Sequence, residues 1–141
     1  MKEFKDNQRW IGIYKSIKFE IVKWNNDYTP ETEQFNTGYK WCAYIFVKPR
    51  RIKVSNGRID YYKMYSDVEM HGGITYWHRV QNSTKDIVDC IGCDYCHSWD
   101  YKDSYDHKLI DRDEEEILFD IKKTIDCLPE DLFFTTPNKD K

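Results

Sequence analysis

Residues 71–76 (His-Gly-Gly-Ile-Thr-Tyr) hold several side chains that could bind a ligand or assist a reaction. Two adjacent glycines permit positive φ angles and let the backbone approach a ligand closely. Histidine titrates near neutral pH, so His71 can serve as an acid, a base or a donor to an anion. Thr75 and Tyr76 add hydroxyl groups. The alternative interpretation is a β-bulge with a solvent-facing histidine, and the residues leave both open.

A second polar segment has the spacing Asp94-x2-His97-x2-Asp100, just after an apolar run. A histidine flanked by carboxylates can be held in one tautomer as a general base, or the three groups can ligate a divalent cation. The alternative is that these groups cap a turn together with Ser98 and the backbone. Junctions between strands and loops commonly present functional groups.

The chain has five cysteines, an odd number that argues against a disulfide framework. Cys90, Cys93, Cys96 and His97 have the spacing of a zinc site, but no second Cys/His pair follows elsewhere. In a strand, Cys90 and Cys93 would also face opposite sides. We therefore expect neither bound zinc nor a disulfide. We expect these cysteines to pack in the sheet as small apolar side chains.

Size and composition predict one globular domain over residues 1–134 with a flexible tail over 135–141. The chain has 141 residues, a net charge of −3 and 23 aromatic residues (5 Trp, 11 Tyr and 7 Phe). No apolar run reaches about 20 residues, and the first residues lack the apolar core of a signal peptide, which favours a soluble, cytoplasmic protein. The net acidity disfavours general nucleic-acid binding.

Charge is distributed unevenly along the chain. Residues 1–53 carry 11 basic and 6 acidic side chains, whereas residues 100–141 carry 7 and 13. The basic first third and the acidic last third could attract each other in the fold or in a homo-oligomer, or they could be two solvated faces.

Hydrophobic patterns predict an α+β fold in which an antiparallel sheet of five to seven strands carries a C-terminal helix on one face. Residues 39–47 are almost wholly apolar or aromatic, which predicts a central strand buried on both faces. Asn56-Gly57 between β-prone runs predicts a hairpin. The helix is expected from about Asp113 to Leu128, with a capping aspartate before it. Its apolar stripe comprises Ile117, Leu118, Ile121 and Ile125. The predicted strands cover residues 10–14, 17–22, 39–47, 50–54, 59–65, 68–80 and 87–93.

The two polar segments together resemble a family of small, mostly uncharacterised proteins encoded by bacteriophages and prophages. That family carries a pattern close to H-G-G-[IL]-T-[YF], then [IV]-G-F-D-C-A-H-x-G-D, and the resemblance spans roughly residues 38–127. Its cysteine position is Tyr95 here, its alanine position is Cys96, its phenylalanine position is Cys93 and the glycine before the last Asp is Trp99. The resemblance implies a phage origin but no established activity. It groups six residues that follow the family's pattern into one constellation: His71, Gly72, Gly73, Asp94, His97 and Asp100.

The predicted function is that of a phage accessory protein, active in counter-defence, that binds a small anionic or nucleotide-like ligand. Backbone N–H groups would hold the anion, and Tyr76, Trp77, Tyr95 or Trp99 would stack on a base, unless these rings pack in the core. We expect His71, Asp94 and His97 to lie within one small-molecule diameter. The predicted ligand-binding residues are His71, Gly72, Gly73, Thr75, Tyr76, Asp94, His97 and Asp100, with no catalytic residue assigned.

Two other functions stay open. A hydrolase could use the same histidines and aspartates as an acid–base pair, or with a divalent metal, on a phosphodiester or glycosidic bond. An inhibitor could instead bind a host protein through the acidic face of the helix.

Overall fold

The computed structural model describes residues 8–25, 39–95 and 114–134. In these ranges the chain forms an α+β fold with one five-stranded antiparallel sheet, a separate two-stranded hairpin and a C-terminal helix. The elements are β1 (Gln8–Tyr14), β2 (Ile17–Asn25), β3 (Tyr39–Val47), β4 (Val54–Ser55), β5 (Arg58–Ile59), α1 (Tyr61–Met64), β6 (Tyr76–Gln81), β7 (Ile87–Asp94) and α2 (Glu114–Asp126). A 3₁₀ helix (Glu130–Leu132) follows α2.

The main sheet has the strand order β1-β2-β3-β7-β6, so the most apolar strand, β3, lies in its centre. Its bounds are those that the sequence predicts. β1 and β2 are joined by Lys15 and Ser16, whose φ angles of 50° and 69° are those of a two-residue type I′ turn. The Asn56-Gly57 hairpin has φ angles of 52° and 75°, which confirms the predicted turn.

The core lies between one face of the sheet and α2, which packs on β2 and β3. Ile117, Ile121 and Ile125 of the predicted helical stripe are buried there, and Leu118 packs at its margin. The strands contribute alternate residues to this core, because successive side chains point to opposite faces. These include Ile17, Phe19 and Ile21 of β2, Trp41, Ala43, Ile45 and Val47 of β3, and Ile91 and Cys93 of β7.

The other alternate residues form the opposite face of the sheet, which no described element covers; we call it the open face. Its residues on the outer strands are Arg9, Ile11 and Ile13 of β1 and Tyr76, His78 and Val80 of β6. Between them lie Lys18, Glu20 and Val22 of β2, Cys42, Tyr44 and Phe46 of β3, and Cys90, Gly92 and Asp94 of β7.

Three predicted strands are wrong in extent. Of the strand predicted over residues 50–54 only Val54 is in a strand, because β4 has just two residues, Val54 and Ser55, with partners in β5. The strand predicted over residues 68–80 begins only at Tyr76, because residues 71–73 form a turn in which Gly72 and Gly73 have φ angles of 67° and 91°. The strand predicted over 59–65 ends at Ile59, because Asp60 caps a short helix by accepting a hydrogen bond from the Lys63 amide at 3.1 Å. Tyrosine-rich sequence is compatible with either structure, and the cap selects the helix.

Other predicted features lie outside the described residues. They are the connection from Asn26 to Gly38, the loop from Tyr101 to Lys108, the helix cap at Asp111 or Asp113 and the tail from Thr135. Within the described ranges no helix is long and apolar enough to cross a membrane.

Candidate ligand-binding face

The structure divides the predicted site residues between the two faces of the sheet. His71 lies on the side covered by α2, where its ring stacks on Tyr95 with a centroid distance of 4.0 Å and an interplanar angle of 13°. Tyr76 and Asp94 follow the strand alternation onto the open face, since Tyr76 pairs with Gly92 and Asp94 with Cys42. Those three residues therefore do not converge on one pocket.

The structure describes three of the five remaining predicted residues. Gly72, Gly73 and Thr75 are exposed, and Asp94 is the last residue of β7, at the predicted junction of strand and loop. The Gly73 amide donates to the Met70 carbonyl at 2.9 Å, so it is occupied within the turn. His97 and Asp100 lie outside the described residues, and their part in a site stays a prediction.

A cleft of about 270 Å³ separates the turn bearing His71 from α2. Tyr95 donates a hydrogen bond to Asp120 at 2.9 Å, and the Thr124 hydroxyl donates to the Glu69 carbonyl at 2.8 Å, which ties the turn to the helix. The cleft carries the carboxylates of Glu69 and Asp120 against the single lysine Lys123. This acidic lining does not favour the anionic ligand that the sequence predicts.

The open face, in contrast, presents aromatic rings in its centre. Tyr44, Gly92 and Tyr76 form one row across β3, β7 and β6. The Tyr44 ring occupies the space above Gly92, where an added Cβ would come within 2.5 Å of Tyr44 Cδ1. Its edge meets the Tyr76 ring at a centroid distance of 5.3 Å and an angle of 78°. Gly92 is therefore the residue that lets these two rings lie close together.

A shallow depression of about 420 Å³ covers this row and extends towards β1. Phe46 and Val80 add apolar surface, and Tyr76 is 42% exposed, so its ring is available to a ligand. Burial raises the pKa of Tyr44 and, to a lesser extent, that of Tyr76 above the ordinary value, so both hydroxyls are neutral at pH 7. The depression is lined by Arg9, Glu20, Tyr44, Phe46, Tyr76, Val80 and Cys90.

Two cations border the depression on the side of β1 and β2. Arg9 and Lys18 both approach Glu20, with N–O distances of 3.7 Å and 3.9 Å. Both are about half exposed, and the Lys18 ammonium also lies 4.8 Å from the centre of the Phe46 ring. Long exposed ion pairs of this kind contribute little stability and exchange partners readily.

The sequence prediction missed Tyr44 and Phe46, because β3 was expected to be buried on both faces. Among residues 41–47 the odd-numbered side chains and Cys42 are buried, whereas Tyr44 and Phe46 are half-buried. Their alternation with Ala43, Ile45 and Val47 is the signal in the sequence that could have identified them.

Of the other predicted stacking rings, Tyr95 and Trp77 belong to the core side of the sheet. Tyr95 is 1% exposed and Trp77 packs against the same core, which is the alternative that the sequence left open. Trp99 lies outside the described residues.

The cysteines of β7 face opposite sides of the sheet, as the alternation predicts. Cys93 belongs to the core beneath α2, whereas Cys90 lines the open depression. Burial raises the pKa of each thiol to about 12, so both stay protonated and are unsuited to nucleophilic attack. Among the described cysteines none is disulfide-bonded. Cys96 lies outside this part of the chain.

A buried carboxylate that the sequence did not single out lies at the far end of the same strand. Asp89 is 0% exposed and accepts hydrogen bonds from Arg79 Nε at 2.7 Å and from the Tyr65 hydroxyl. Burial disfavours its charge, but the bonds from Arg79 and Tyr65 outweigh that cost and hold the pKa of Asp89 below its ordinary value. Arg79 also donates to the Arg50 carbonyl at 2.5 Å. Both oxygens of Asp89 thus accept hydrogen bonds, and these bonds tie β7 to β6 and to the residue that follows α1.

Comparison with known proteins adds no relative: no family model, curated protein or solved structure matches the chain. Within residues 8–25, 39–95 and 114–134, no group of three or more His, Cys, Asp or Glu side chains is arranged to hold a metal ion.

Proposed function

We propose that the protein binds a small nucleotide-like ligand on the open face of its sheet. The observation that carries this proposal is the row of Tyr44 and Tyr76 across Gly92, with Phe46 beside it, in a depression of about 420 Å³. Small-ligand pockets commonly measure about 300–1,000 Å³ and combine apolar walls with a few polar groups. Exposed aromatic rings on a sheet are suited to stacking on a nucleobase.

The cations at the edge of the depression supply the contact for a phosphate. Arg9 and Lys18 lie together beside Glu20, so a phosphate can take the place of the carboxylate as their partner. Arginine in particular forms paired hydrogen bonds with phosphate oxygens. A ligand with a planar ring over Tyr76 and an anionic group near Arg9 would therefore contact both the aromatic row and the cations at the edge of the depression.

A mononucleotide or cyclic nucleotide fits these features better than a nucleic-acid polymer. Polymer binding draws its affinity from many phosphate contacts along a basic surface. The chain has a net charge of −3, Glu20 lies beside the two cations, and Asp94 adds a second carboxylate on the open face. The charge balance supports one phosphate group, not a strand of them.

The wider role rests on the resemblance of the two sequence motifs. We propose a phage-encoded accessory protein that acts in the cytoplasm of the host and removes a nucleotide signal from its target by binding it. Asp94 shares the open face with Tyr76, which supports a contact between Asp94 and the ligand, and His97 and Asp100 follow it in the chain. Hydrolysis of the ligand remains the alternative outcome.

The experiment is calorimetric titration with AMP, a cyclic nucleotide and ribose 5-phosphate, which has a phosphate but no base. We expect the two nucleotides to bind and ribose 5-phosphate to bind much more weakly. Tyr76→Ala should weaken nucleotide binding by about 5- to 150-fold, since stacking of a base on an aromatic ring contributes about 1–3 kcal/mol. Chromatography of the recovered ligand distinguishes binding from hydrolysis.

A matched control is Tyr62→Ala, which removes another exposed tyrosine, 59% exposed, outside the depression. Its nucleotide affinity should equal that of the wild type. Absence of binding at millimolar nucleotide, or equal loss in the Tyr62 and Tyr76 variants, would contradict the proposed function.

A further inference from the structure

The outer edge of β1 exposes backbone groups that bond to nothing among the described residues. β1 is the first strand of the sheet, with β2 as its neighbour on one side only. In a two-residue hairpin the pair that closes the turn, Tyr14 and Ile17, exchanges backbone hydrogen bonds. The amides and carbonyls of alternate residues therefore point inwards to β2, and those of Arg9, Ile11 and Ile13 point outwards.

The same edge exposes apolar side chains. Ile11 is 59% exposed and Ile13 is 75% exposed, and both lie on the open face of the sheet. Edge strands that stay unpaired are usually protected by proline, lysine or a bulge. β1 contains none of these and pairs with β2 in unbroken register over seven residues. Such an edge is a template for a further strand.

β1 is complementary to a second copy of itself. In an antiparallel pair centred on Ile11, Ile11 faces the partner's Ile11, and Arg9 faces the partner's Ile13. Each outward-pointing residue then exchanges its amide and carbonyl bonds with a residue that also points outwards. Arg9, the single charged residue of β1, then lies opposite the apolar side chain of the partner's Ile13 and not opposite another charge. Its own charge is compensated by Glu20.

We propose that two copies of this chain associate through β1 to form one continuous ten-stranded sheet. The exposed isoleucines of the two copies then pack against each other on the open face, which removes apolar surface from water. The other edge strand, β6, lacks such a pair, because its most exposed side chains on that face are Tyr76 and His78. Ile11 would face the partner's Ile11 across the two-fold axis. Like or opposite charges introduced at position 11 therefore test this arrangement.

The experiment measures molar mass by sedimentation equilibrium for the wild type, Ile11→Lys, Ile11→Glu and an equimolar mixture of the two variants. The wild type should be a dimer. Each variant alone should be a monomer, because two like charges would face each other at the axis. The mixture should recover the dimer, since Lys then faces Glu, and this recovery requires residue 11 to face residue 11.

Ile87→Lys is the matched control, because Ile87 is another half-exposed strand isoleucine, 48% exposed, remote from β1 in the sheet. It should remain a dimer. Thermal unfolding of every variant shows that each is folded. A monomeric wild type at 100 µM, a dimer of Ile11→Lys, or a mixture that stays monomeric would overturn the proposal.

Discussion

At the scale of single residues, Asp89 shows how an ion pair can be built into an otherwise apolar strand. It stands between Val88 and Cys90, and by sequence alone it is an acidic interruption of a hydrophobic run. Its partners are distant in the chain, since Arg79 lies on β6 and Tyr65 follows α1. No local pattern reveals such a triad, because it exists only once the sheet and the turn are assembled.

Removal of the Tyr65 hydroxyl should weaken the fold without creating a large cavity. Tyr65→Phe removes a hydrogen bond to a buried carboxylate, and bonds to charged groups contribute about 1.5–3 kcal/mol. We expect the free energy of unfolding in urea to fall by that amount. Tyr62→Phe, at an exposed hydroxyl, should change it by less than about 0.5 kcal/mol. Equal effects in the two variants would show that the Tyr65 hydroxyl does not support Asp89.

Asp89 should also make stability depend on pH in the acid range. Its pKa is lower in the folded protein than the ordinary value of about 3.9, so it stabilises the fold above that value, and the stabilisation is lost as pH falls through the folded pKa. Asp89→Asn should therefore be less stable at pH 7 and should lose less stability between pH 5 and pH 2 than the wild type. Urea unfolding at several pH values measures both.

Asp126→Asn is the control for that pH dependence. Asp126 also has a lowered pKa, through its bonds from Lys15 and Tyr14, but it is exposed to solvent. Solvent screening makes such pairs weak, so its acid profile should stay close to that of the wild type. A steeper effect at Asp126 than at Asp89 would mean that the buried network does not dominate acid unfolding.

At the scale of elements, continuous hydrophobic patterns in the sequence predicted the bounds of the central strand and of the C-terminal helix well. β3 has the predicted bounds because eight of its nine residues are apolar or aromatic, which leaves no competing structure. The C-terminal helix was found within two residues at each end, from its isoleucine spacing and its first-turn glutamates. Residues 60–65 and 68–75 were misassigned to strands, because their conformations depend on the cap at Asp60 and on the positive φ angles of Gly72 and Gly73.

The contribution of the helix to the fold can be measured at Ile121, which is 2% exposed beneath the sheet. Ile121→Ala should lower the free energy of unfolding by about 2–5 kcal/mol, as large-to-small changes in a core do. Phe119→Ala changes a larger side chain on the same helix that is 64% exposed, and it should have little effect. Urea unfolding of both variants is the measurement. A loss at Ile121 below the experimental error would contradict its burial against the sheet.

At the scale of the whole molecule, the candidate residues are separated by the sheet itself. The sequence places His71 and Tyr76 five residues apart, and both belong to one motif of the resemblance. A strand between two faces can send nearby residues to opposite sides, so closeness in sequence does not establish a shared site. Tyr76 lies beside Tyr44 on the open face, whereas His71 lies against Tyr95 on the side of α2.

This separation predicts different consequences for His71→Ala and Tyr76→Ala. Loss of the His71 ring exposes the face of Tyr95 and loosens the turn that Thr124 ties to α2, so the melting temperature should fall. Its nucleotide affinity should stay within about twofold of the wild type, because groups on opposite sides of a sheet share no contact. Tyr76→Ala should lose affinity while its melting temperature changes little, since its ring is 42% exposed.

The double variant decides between one site and two. If the faces act independently, its change in binding free energy equals the sum of the two single changes within about 0.5 kcal/mol, and so does its change in stability. A ligand that reaches around the end of β7, past Asp94, to touch both rings would instead give a large loss of affinity in each single variant and a double variant little worse than either. Calorimetric titration of the wild type and the three variants with the same nucleotide measures this coupling. Non-additive loss would restore the shared site that the motif predicts, whereas additive loss would assign His71 to the fold and Tyr76 to the ligand.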